Sequence, residues 1–123
     1  MNPDVPRAIT GDEVETYQRD GVIVLRDMFD ADWIELLKNG LSINCENPTA
    51  RSRVWDRDSA GRTMFWDSQA WQGIEQYRRF IFESPGARIA GELMGASRVN
   101  FFFDAVFVPV SYTHLTLPTT PYV

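Results

Sequence analysis

Residues 98–108 read RVNFFFDAVFV, and this run of aromatic and β-branched side chains is the strongest strand signal in the chain. Side chains alternate across a strand, so the even-numbered positions are expected on one face: Asn100, Phe102, Asp104 and Val106. The odd-numbered positions would occupy the other face. A strand this apolar needs a sheet, because an isolated strand or hairpin is only marginally stable in water.

Two helices with clear start signals are predicted before this strand. Thr10 and Glu13 form a capping box at the start of the first helix, and Gly21 is placed to end it. Asp30 is placed to cap the second helix, which is expected to end at Asn47. Both helices carry apolar residues at helical spacing, so each has one face to bury.

Two further helices lie closer to the strand. Apolar residues at helical spacing predict the third over residues 74–81. Ser84 is predicted to cap the fourth, with Pro85 as its first helical residue and Gly95 closing it.

Three segments connect these helices. Residues 22–25 (VIVL) are predicted to form a short buried strand, and residues 64–66 (MFW) a short apolar turn or strand. Residues 49–62 are predicted to be a polar loop of a length that is often functional. The pattern as a whole predicts one domain of the α+β class.

Composition excludes several classes of protein. The chain has 123 residues, 44% of them hydrophobic, which is enough for one packed core. A net charge of −5 argues against nucleic-acid partners, because phosphate binding needs a basic surface. No run approaches the ~20 apolar residues of a membrane span, so we expect no membrane partner and a cytoplasmic location. A single cysteine, Cys45, allows no internal disulfide.

The last residues differ in character from the rest. Residues 110–123, VSYTHLTLPTTPYV, contain no Asp, Glu, Lys or Arg. The first ten of them, residues 110–119, resemble the translation of a transposon-end adapter used in sequencing libraries. We therefore expect residues 1–108 to be the N-terminal part of one domain and residues 109–123 to be a non-native tail.

The chemistry-bearing residues are few. His114 is the only histidine and lies in the suspect tail, which leaves no Ser-His-Asp or Cys-His arrangement. One cysteine cannot supply a zinc site of the usual spacing, and Cys45 is interpreted as a partly buried small residue. No catalytic or metal-ligating residue is therefore assigned.

Asp104 and Asn100 are the most informative polar residues. An acid in the middle of an apolar strand must be paired or lie near a polar cavity. A structural, hydrogen-bonded role and a role in a site are both open for each of them.

Two further groups also have two interpretations. Trp55, Phe65, Trp66 and Trp71 could form core or line a pocket. The arginines of the loop could bind an anionic substrate group or form ion pairs with neighbouring acids: the arginines are Arg51, Arg53 and Arg57, and the acids are Asp56 and Asp58.

Three stretches resemble the N-terminal part of the phytanoyl-CoA dioxygenase family. They are YQRDGVIVLRDMFDADWIELLKNGL (residues 17–41), GRTMFWD (residues 61–67) and YRRFIFESPGARIAGELMGASRVNFFFDAVFV (residues 77–108). The resemblance covers about residues 12–108. It implies a double-stranded β-helix, jelly-roll or cupin-like, with the helices outside and residues 98–108 as the first long strand.

The resemblance also implies a chemistry for the parent protein. The family holds non-haem Fe(II) through an H-x-D…H triad, uses 2-oxoglutarate as co-substrate and hydroxylates small-molecule or acyl-type substrates; such a triad leaves coordination positions open. Asn100, Phe102 and Asp104 would face the cavity as cofactor-binding residues. No residue of this chain matches the triad, the 2-oxoglutarate-binding arginine or the basic residue after the strand.

Two expectations follow for the chain itself. As a truncated oxygenase it should be inactive, bind neither iron nor 2-oxoglutarate well, and self-associate through its exposed strand. The alternative is a small non-enzymatic α+β binding or interaction module that recruits a partner by strand pairing. A third interpretation is a degenerate family member that binds without catalysis.

Overall fold

The structure is a computed structural model, and it describes residues 1–55 and 64–109. Within these ranges the chain is a small α+β protein with four α-helices and a three-stranded antiparallel sheet. The helices are α1 (Gly11–Asp20), α2 (Ala31–Glu46), α3 (Glu75–Glu83) and α4 (Gly86–Met94). The strands are β1 (Arg53–Trp55), β2 (Met64–Ser68) and β3 (Ala105–Pro109), and a 3-10 helix covers Ala70–Gln72.

The capping box at the start of α1 is confirmed. Thr10 Oγ1 accepts a hydrogen bond from the Glu13 N–H at 3.2 Å, and Glu13 Oε1 accepts one from the Thr10 N–H at 3.0 Å. The Arg7 guanidinium and then the Thr10 N–H lower the pKa of Glu13 from 4.5 to about 2. Gly21 ends the helix at φ 73°, a conformation that glycine adopts without steric cost.

The predicted start of α2 is also confirmed, and the start of α4 differs by one residue. Asp30 Oδ1 accepts a hydrogen bond from the Trp33 N–H at 3.0 Å. Pro85 is the N-cap of α4 rather than its first helical residue, and α4 begins at Gly86. Ser84 therefore precedes the N-cap rather than occupying it, and its Oγ accepts a hydrogen bond from the Gly86 N–H at 3.3 Å.

Helices cover one face of the sheet; the other, called the open face below, is covered by no helix of residues 1–55 and 64–109. β2 lies between β1 and β3, and Asp67 pairs with Val106 while Phe65 pairs with Val108. Opposite residues of an antiparallel pair share a face. Val106 packs with Leu37 and Trp71 against the buried cluster that Ala70, Ile74 and Tyr77 form, so this face is the covered one.

A second cluster lies between α1, α4 and the segment that precedes α2. Met28, Ile89 and Leu93 are its buried members. Gln18 on α1 adds a hydrogen bond from its Nε2 to the Leu93 carbonyl at 2.7 Å. In the ranges described, no helix is long and apolar enough to cross a membrane.

The long terminal strand is shorter than predicted. Residues 98–104 form no strand, and β3 begins at Ala105. Phe102 is 89% exposed, against 40% for Phe101 and 50% for Phe103. The reason is the length of the partner: β2 has five residues, and all of them pair with residues 105–109.

Two connecting segments also differ from prediction. Residues 22–25 form no strand and pair with no other strand of the described structure. Val22 and Val24 are exposed, and only Ile23 and Leu25 pack on the core beside Met28. The predicted loop at residues 49–62 contains β1, which pairs with β2. The local sequence does not reveal this pairing. Residues 56–62 of the predicted loop lie outside the described structure.

The contact of α2 with α3 depends on Gly40. A Cβ at this position would lie 2.9 Å from Gln76 Cβ and 2.9 Å from Tyr77 Cε1, closer than real Cβ contacts come. Gln76 Cβ is bonded directly to the backbone of α3, and the Tyr77 ring is buried and hydrogen-bonded to Asn44, so neither moves aside without shifting the helix or losing that bond. The absence of a side chain at residue 40 therefore sets the distance between the two helices.

We expect Gly40→Ala to destabilise the protein. Overpacking of this kind costs about 1–3 kcal/mol, which outweighs the ~1 kcal/mol that alanine usually adds in a helix interior. Gly11→Ala is the matched control, because nothing lies within 4 Å of a Cβ there. Thermal unfolding should show a lower midpoint for Gly40→Ala only; a midpoint at or above the wild-type value would contradict this packing.

Candidate functional site

Asp67 is a fully buried carboxylate on the covered face of β2. Its Oδ2 accepts hydrogen bonds from Asn44 Nδ2 at 2.8 Å and from the Thr49 N–H at 2.8 Å. Its Oδ1 accepts from the Thr49 hydroxyl and from the Ser68 N–H. Four donors therefore surround one carboxylate.

These donors come from two parts of the fold. Asn44 lies in the last turn of α2, and Thr49 follows three residues after that helix ends. Tyr77 on α3 donates from its hydroxyl to Asn44 Oδ1 at 3.3 Å. Asn44, Thr49, Asp67 and Tyr77 are called the Asp67 cluster below. It ties the end of α2 and the start of the following segment to the middle of the sheet.

The electrostatics favour an ionised Asp67. Burial raises the pKa of Asp67, but the hydrogen bonds from Thr49, Asn44 and Ser68 outweigh it and hold the pKa below its ordinary value. Burial raises the pKa of Tyr77 to about 12, so the phenol stays protonated. A carboxylate that already accepts four hydrogen bonds is a poor proton acceptor, so Asp67 has a structural role.

Asp104 is the second carboxylate of this region, and its bonding is incomplete. Its carbonyl accepts a hydrogen bond from the Gln69 N–H at 3.0 Å, while its side-chain Oδ1 is buried without a partner in the described part of the chain. Burial raises the pKa of Asp104; the N–H groups of Asp104, Trp71 and Ala70 lower it in part, and Asp67 raises it further. In the described structure, Asp104 Oδ1 therefore accepts no hydrogen bond, whereas both carboxylate oxygens of Asp67 do.

The three residues assigned from sequence line two different pockets. Asp104 lines a pocket of about 150 Å³ together with residues of α2, α3 and β3. Asn100 and Phe102 line a pocket of about 370 Å³ beside α3 and α4. Phe101 lines this larger pocket too, although strict alternation would place it on the opposite face. Residues 98–104 are not in a strand, so alternation does not apply to them.

Arg51 is engaged by backbone rather than free for an anion. Its Nε donates to the Ser68 carbonyl at 3.0 Å and its Nη2 to the Gln69 carbonyl at 3.3 Å. These bonds brace a turn in which Gln69 has the unusual φ of 53°. Arg57 and the predicted partners Asp56 and Asp58 lie outside the described residues.

The remaining candidates are placed as follows. Phe65 is buried and belongs to the core. Trp71 packs against the buried cluster and makes edge contacts with Phe82 and Phe101, which line the larger pocket. Cys45 is exposed, so the expectation of a partly buried thiol is wrong: it falls on the outer side of the last turn of α2. His114 lies outside the described residues.

The described residues do not fit a metal site. Across residues 1–55 and 64–109, no group of three or more His, Cys, Asp or Glu side chains could hold a metal ion. Asp67 accepts four hydrogen bonds from protein donors, so its carboxylate is not free to bind a metal ion.

The Asp67 cluster was not identified from the sequence. Its members are separated by up to 33 residues, so no local motif connects them. One signal was present: Asp67 directly follows the apolar residues Met64, Phe65 and Trp66. An acid beside an apolar run needs a polar partner if it is buried, as was argued for Asp104.

Comparisons with protein-family models, with curated proteins and with solved structures give no match to this chain.

Proposed function

We propose that residues 12–108 are the helical scaffold and first strands of an Fe(II)/2-oxoglutarate-dependent dioxygenase of the phytanoyl-CoA dioxygenase type, whose substrate is a small-molecule or acyl-type compound. One structural observation carries the proposal beyond the sequence resemblance: within residues 1–55 and 64–109, helices cover the antiparallel sheet on one face only. A double-stranded β-helix needs such a sheet, because its two sheets pack face to face and the helices must lie outside.

The open face has the character of a surface that packs against another layer. Met64 and Trp66 of β2 are half-buried, and Phe107 of β3 is 52% exposed. Trp66 and Phe107 are direct cross-strand partners. Under the proposal, this face meets the second sheet of the complete β-helix.

The proposal changes which side of β3 is assigned to the interior of the β-helix. Val106 packs against the helices, and Asp104 lines a pocket with helix residues. Ala105 and Phe107 point the other way, since neighbouring side chains of a strand alternate. We therefore assign Ala105 and Phe107, rather than Asp104, to the interior.

Iron and 2-oxoglutarate belong to the complete enzyme in this proposal. No residue of the chain matches the H-x-D…H triad, and the described residues contain no metal-binding group. No catalytic step is assigned to any side chain of this chain.

Succinate release tests the proposal. The 123-residue chain and the protein expressed from the uninterrupted genomic locus are assayed side by side with Fe(II), ascorbate and 2-oxoglutarate. We expect iron-dependent succinate from the genomic protein and none above a metal-free control from the 123-residue chain. Iron-dependent turnover by the 123-residue chain, or a genomic protein without it, would contradict the proposal.

A non-enzymatic α+β binding module is the second candidate, and the larger pocket favours it. This pocket has a volume of about 370 Å³, within the ~300–1,000 Å³ of small-molecule sites. Four of its twelve lining residues are phenylalanines, at positions 80, 82, 101 and 102, and binding there needs no metal.

Sedimentation separates the two candidates. An exposed aromatic surface that lacks its second sheet should make the isolated chain self-associate at micromolar concentration. A monodisperse monomer that melts cooperatively would favour the binding module instead.

A further inference from the structure

Residues 22–26 have the alternating exposure of a strand, although they belong to no sheet of the described structure. Val22 and Val24 are 68% and 72% exposed. Ile23 and Leu25, which alternate with them, pack on the core cluster beside α1 and α4. A period of two is that of a strand with one face on a core, so this segment has one packed side and one outward side.

The backbone of this segment is unpaired. Within residues 1–55 and 64–109, no N–H or C=O group of residues 22–26 makes a hydrogen bond. Gly21 at φ 73° and Asp27 at φ 59° bound the segment, and both conformations interrupt a strand. A row of unpaired N–H and C=O groups is a template for pairing with another strand.

The sequence favours a second copy of the same segment as that strand. Residues 20–26 read DGVIVLR, and an antiparallel pair of this run sets apolar residues opposite one another. With Val24 of both copies on a twofold axis, Ile23 of each copy lies opposite Leu25 of the other. Opposite residues of an antiparallel pair share a face, so the packed side chains stay on one side and the valines on the other.

Charges at both ends of the run favour the antiparallel direction. Arg26 then lies opposite Val22 of the second copy, and Asp20 precedes that valine by two residues, at most about 7 Å of chain. Asp20 and Arg26 are both exposed, and Arg26 makes no hydrogen bond or ion pair in the described part of the chain. Asp20 pairs with Arg19 at 2.8 Å, and a carboxylate can accept from a second guanidinium as well. A parallel pair would instead set like charges beside each other.

We propose that residues 22–26 pair antiparallel with the same residues of a second copy, with Arg26 of each copy beside Asp20 of the other. Each strand stays packed on its own core, so the pair is not an isolated hairpin of marginal stability. This interface lies apart from β3 and the open face of the sheet, and it needs neither iron nor 2-oxoglutarate. It can therefore hold or fail independently of the proposed oxygenase function.

Amide hydrogen exchange of the full wild-type chain gives the first test, with sedimentation velocity to measure the dimer fraction. In an antiparallel pair only alternate amides point at the partner strand. Every second amide of residues 22–26 should therefore exchange more slowly as the dimer fraction rises. Association without this protection would overturn the proposal. Protection that does not depend on concentration would overturn it too, because a strand of the same molecule would then cover the segment.

A lysine on the twofold axis gives the second test. Val24→Lys sets two like charges opposite each other in the dimer, so its dissociation constant should rise about 5- to 30-fold. The side chain is exposed, so the monomer should fold as the wild type does. Val54→Lys, at a valine of β1 that is 65% exposed, is the matched control and should leave the dimer unchanged. An equal effect of both variants, or undiminished association of Val24→Lys, would contradict this interface.

Reversal of the end charges tests the direction of pairing. Asp20→Arg and Arg26→Asp each replace attraction by repulsion, so each should raise the dissociation constant about 2- to 10-fold. The double variant restores opposite charges at both ends and should return the constant towards the wild-type value. Losses that simply add in the double variant would rule out the antiparallel arrangement.

Discussion

Asp67→Ala is expected to lower the free energy of unfolding by about 3–5 kcal/mol, since each buried polar group left unsatisfied costs about 1–3 kcal/mol. The substitution deprives four donors of their acceptor at once: Asn44 Nδ2, the Thr49 hydroxyl and the N–H groups of Thr49 and Ser68. Asn44 is itself fully buried, so water cannot easily replace the carboxylate at that atom. Urea denaturation followed by far-ultraviolet circular dichroism measures the loss.

Asp12→Ala is the control for this experiment. Asp12 is an exposed acid in the first turn of α1, and its removal should cost less than about 1 kcal/mol through the helix dipole. A loss for Asp67→Ala as small as that for Asp12→Ala would show that the Asp67 cluster does not hold α2 to the sheet.

The same carboxylate predicts a dependence on pH. The pKa of Asp67 in the folded protein lies below its ordinary value of 3.8. Its stabilising effect is therefore present above pH 3.8 and is lost as the pH falls through the folded-state pKa. The wild type should lose this stability in acid, while Asp67→Ala should not, so the two denaturation midpoints should converge at low pH.

Trp33→Ala is expected to cost about 3–5 kcal/mol, as is usual when a buried tryptophan is cut back to alanine. Trp33 is 1% exposed on α2, and its ring meets that of Phe80 edge-on at 5.9 Å between centroids. Its Nε1 also donates to the Asn2 carbonyl at 2.7 Å, which fastens the first residues of the chain to the helix. Both contributions are lost together in the alanine variant.

Two companion variants separate these contributions. Trp33→Phe keeps an aromatic ring and loses the hydrogen bond to Asn2, so its cost should be intermediate. Ile34→Ala removes the next side chain of α2, which is 42% exposed, and should cost under about 1.5 kcal/mol. Equal losses for Trp33→Ala and Ile34→Ala in urea denaturation would contradict the central packing position of Trp33.

Local signals in the sequence predicted the helices well. The capping box at Thr10, the cap at Asp30 and the glycine at residue 21 all act on atoms within four residues of themselves. Such interactions involve only residues that are close in sequence, so helix starts and ends can be predicted without knowledge of the rest of the fold.

The strands were predicted less well, because a segment forms a strand only if another segment pairs with it, and the local sequence does not specify that partner. Residues 22–25 and 98–104 have the composition of strands, yet neither segment pairs in the described structure. Conversely, β1 lies in a stretch that is polar and irregular in composition and forms a strand because β2 lies beside it. Strand propensity describes a fit to a half-buried surface, so its outcome depends on which surface is present.

The candidate site was predictable only in part. Asp104 was singled out because an acid in an apolar run needs an explanation, and the structure places it at a pocket wall with an unpartnered oxygen. Asn100 and Phe102 were grouped with it by alternation, which required a strand that residues 98–104 do not form. The bonding of Asp67 to Asn44 and Thr49 joins residues 23 and 18 positions apart and could not be read from spacing.

We propose that residues 12–108 are the scaffold of an oxygenase, and this proposal requires metal ligands that residues 1–108 do not contain. The most direct test is to sequence genomic DNA of the source through codon 108 and beyond, with a primer that contains no adapter. We expect a reading frame that continues into a turn with a basic residue, then an H-x-D motif and a later histidine. Genomic DNA that encodes residues 110–123 followed by a stop codon would contradict it and would favour the binding module.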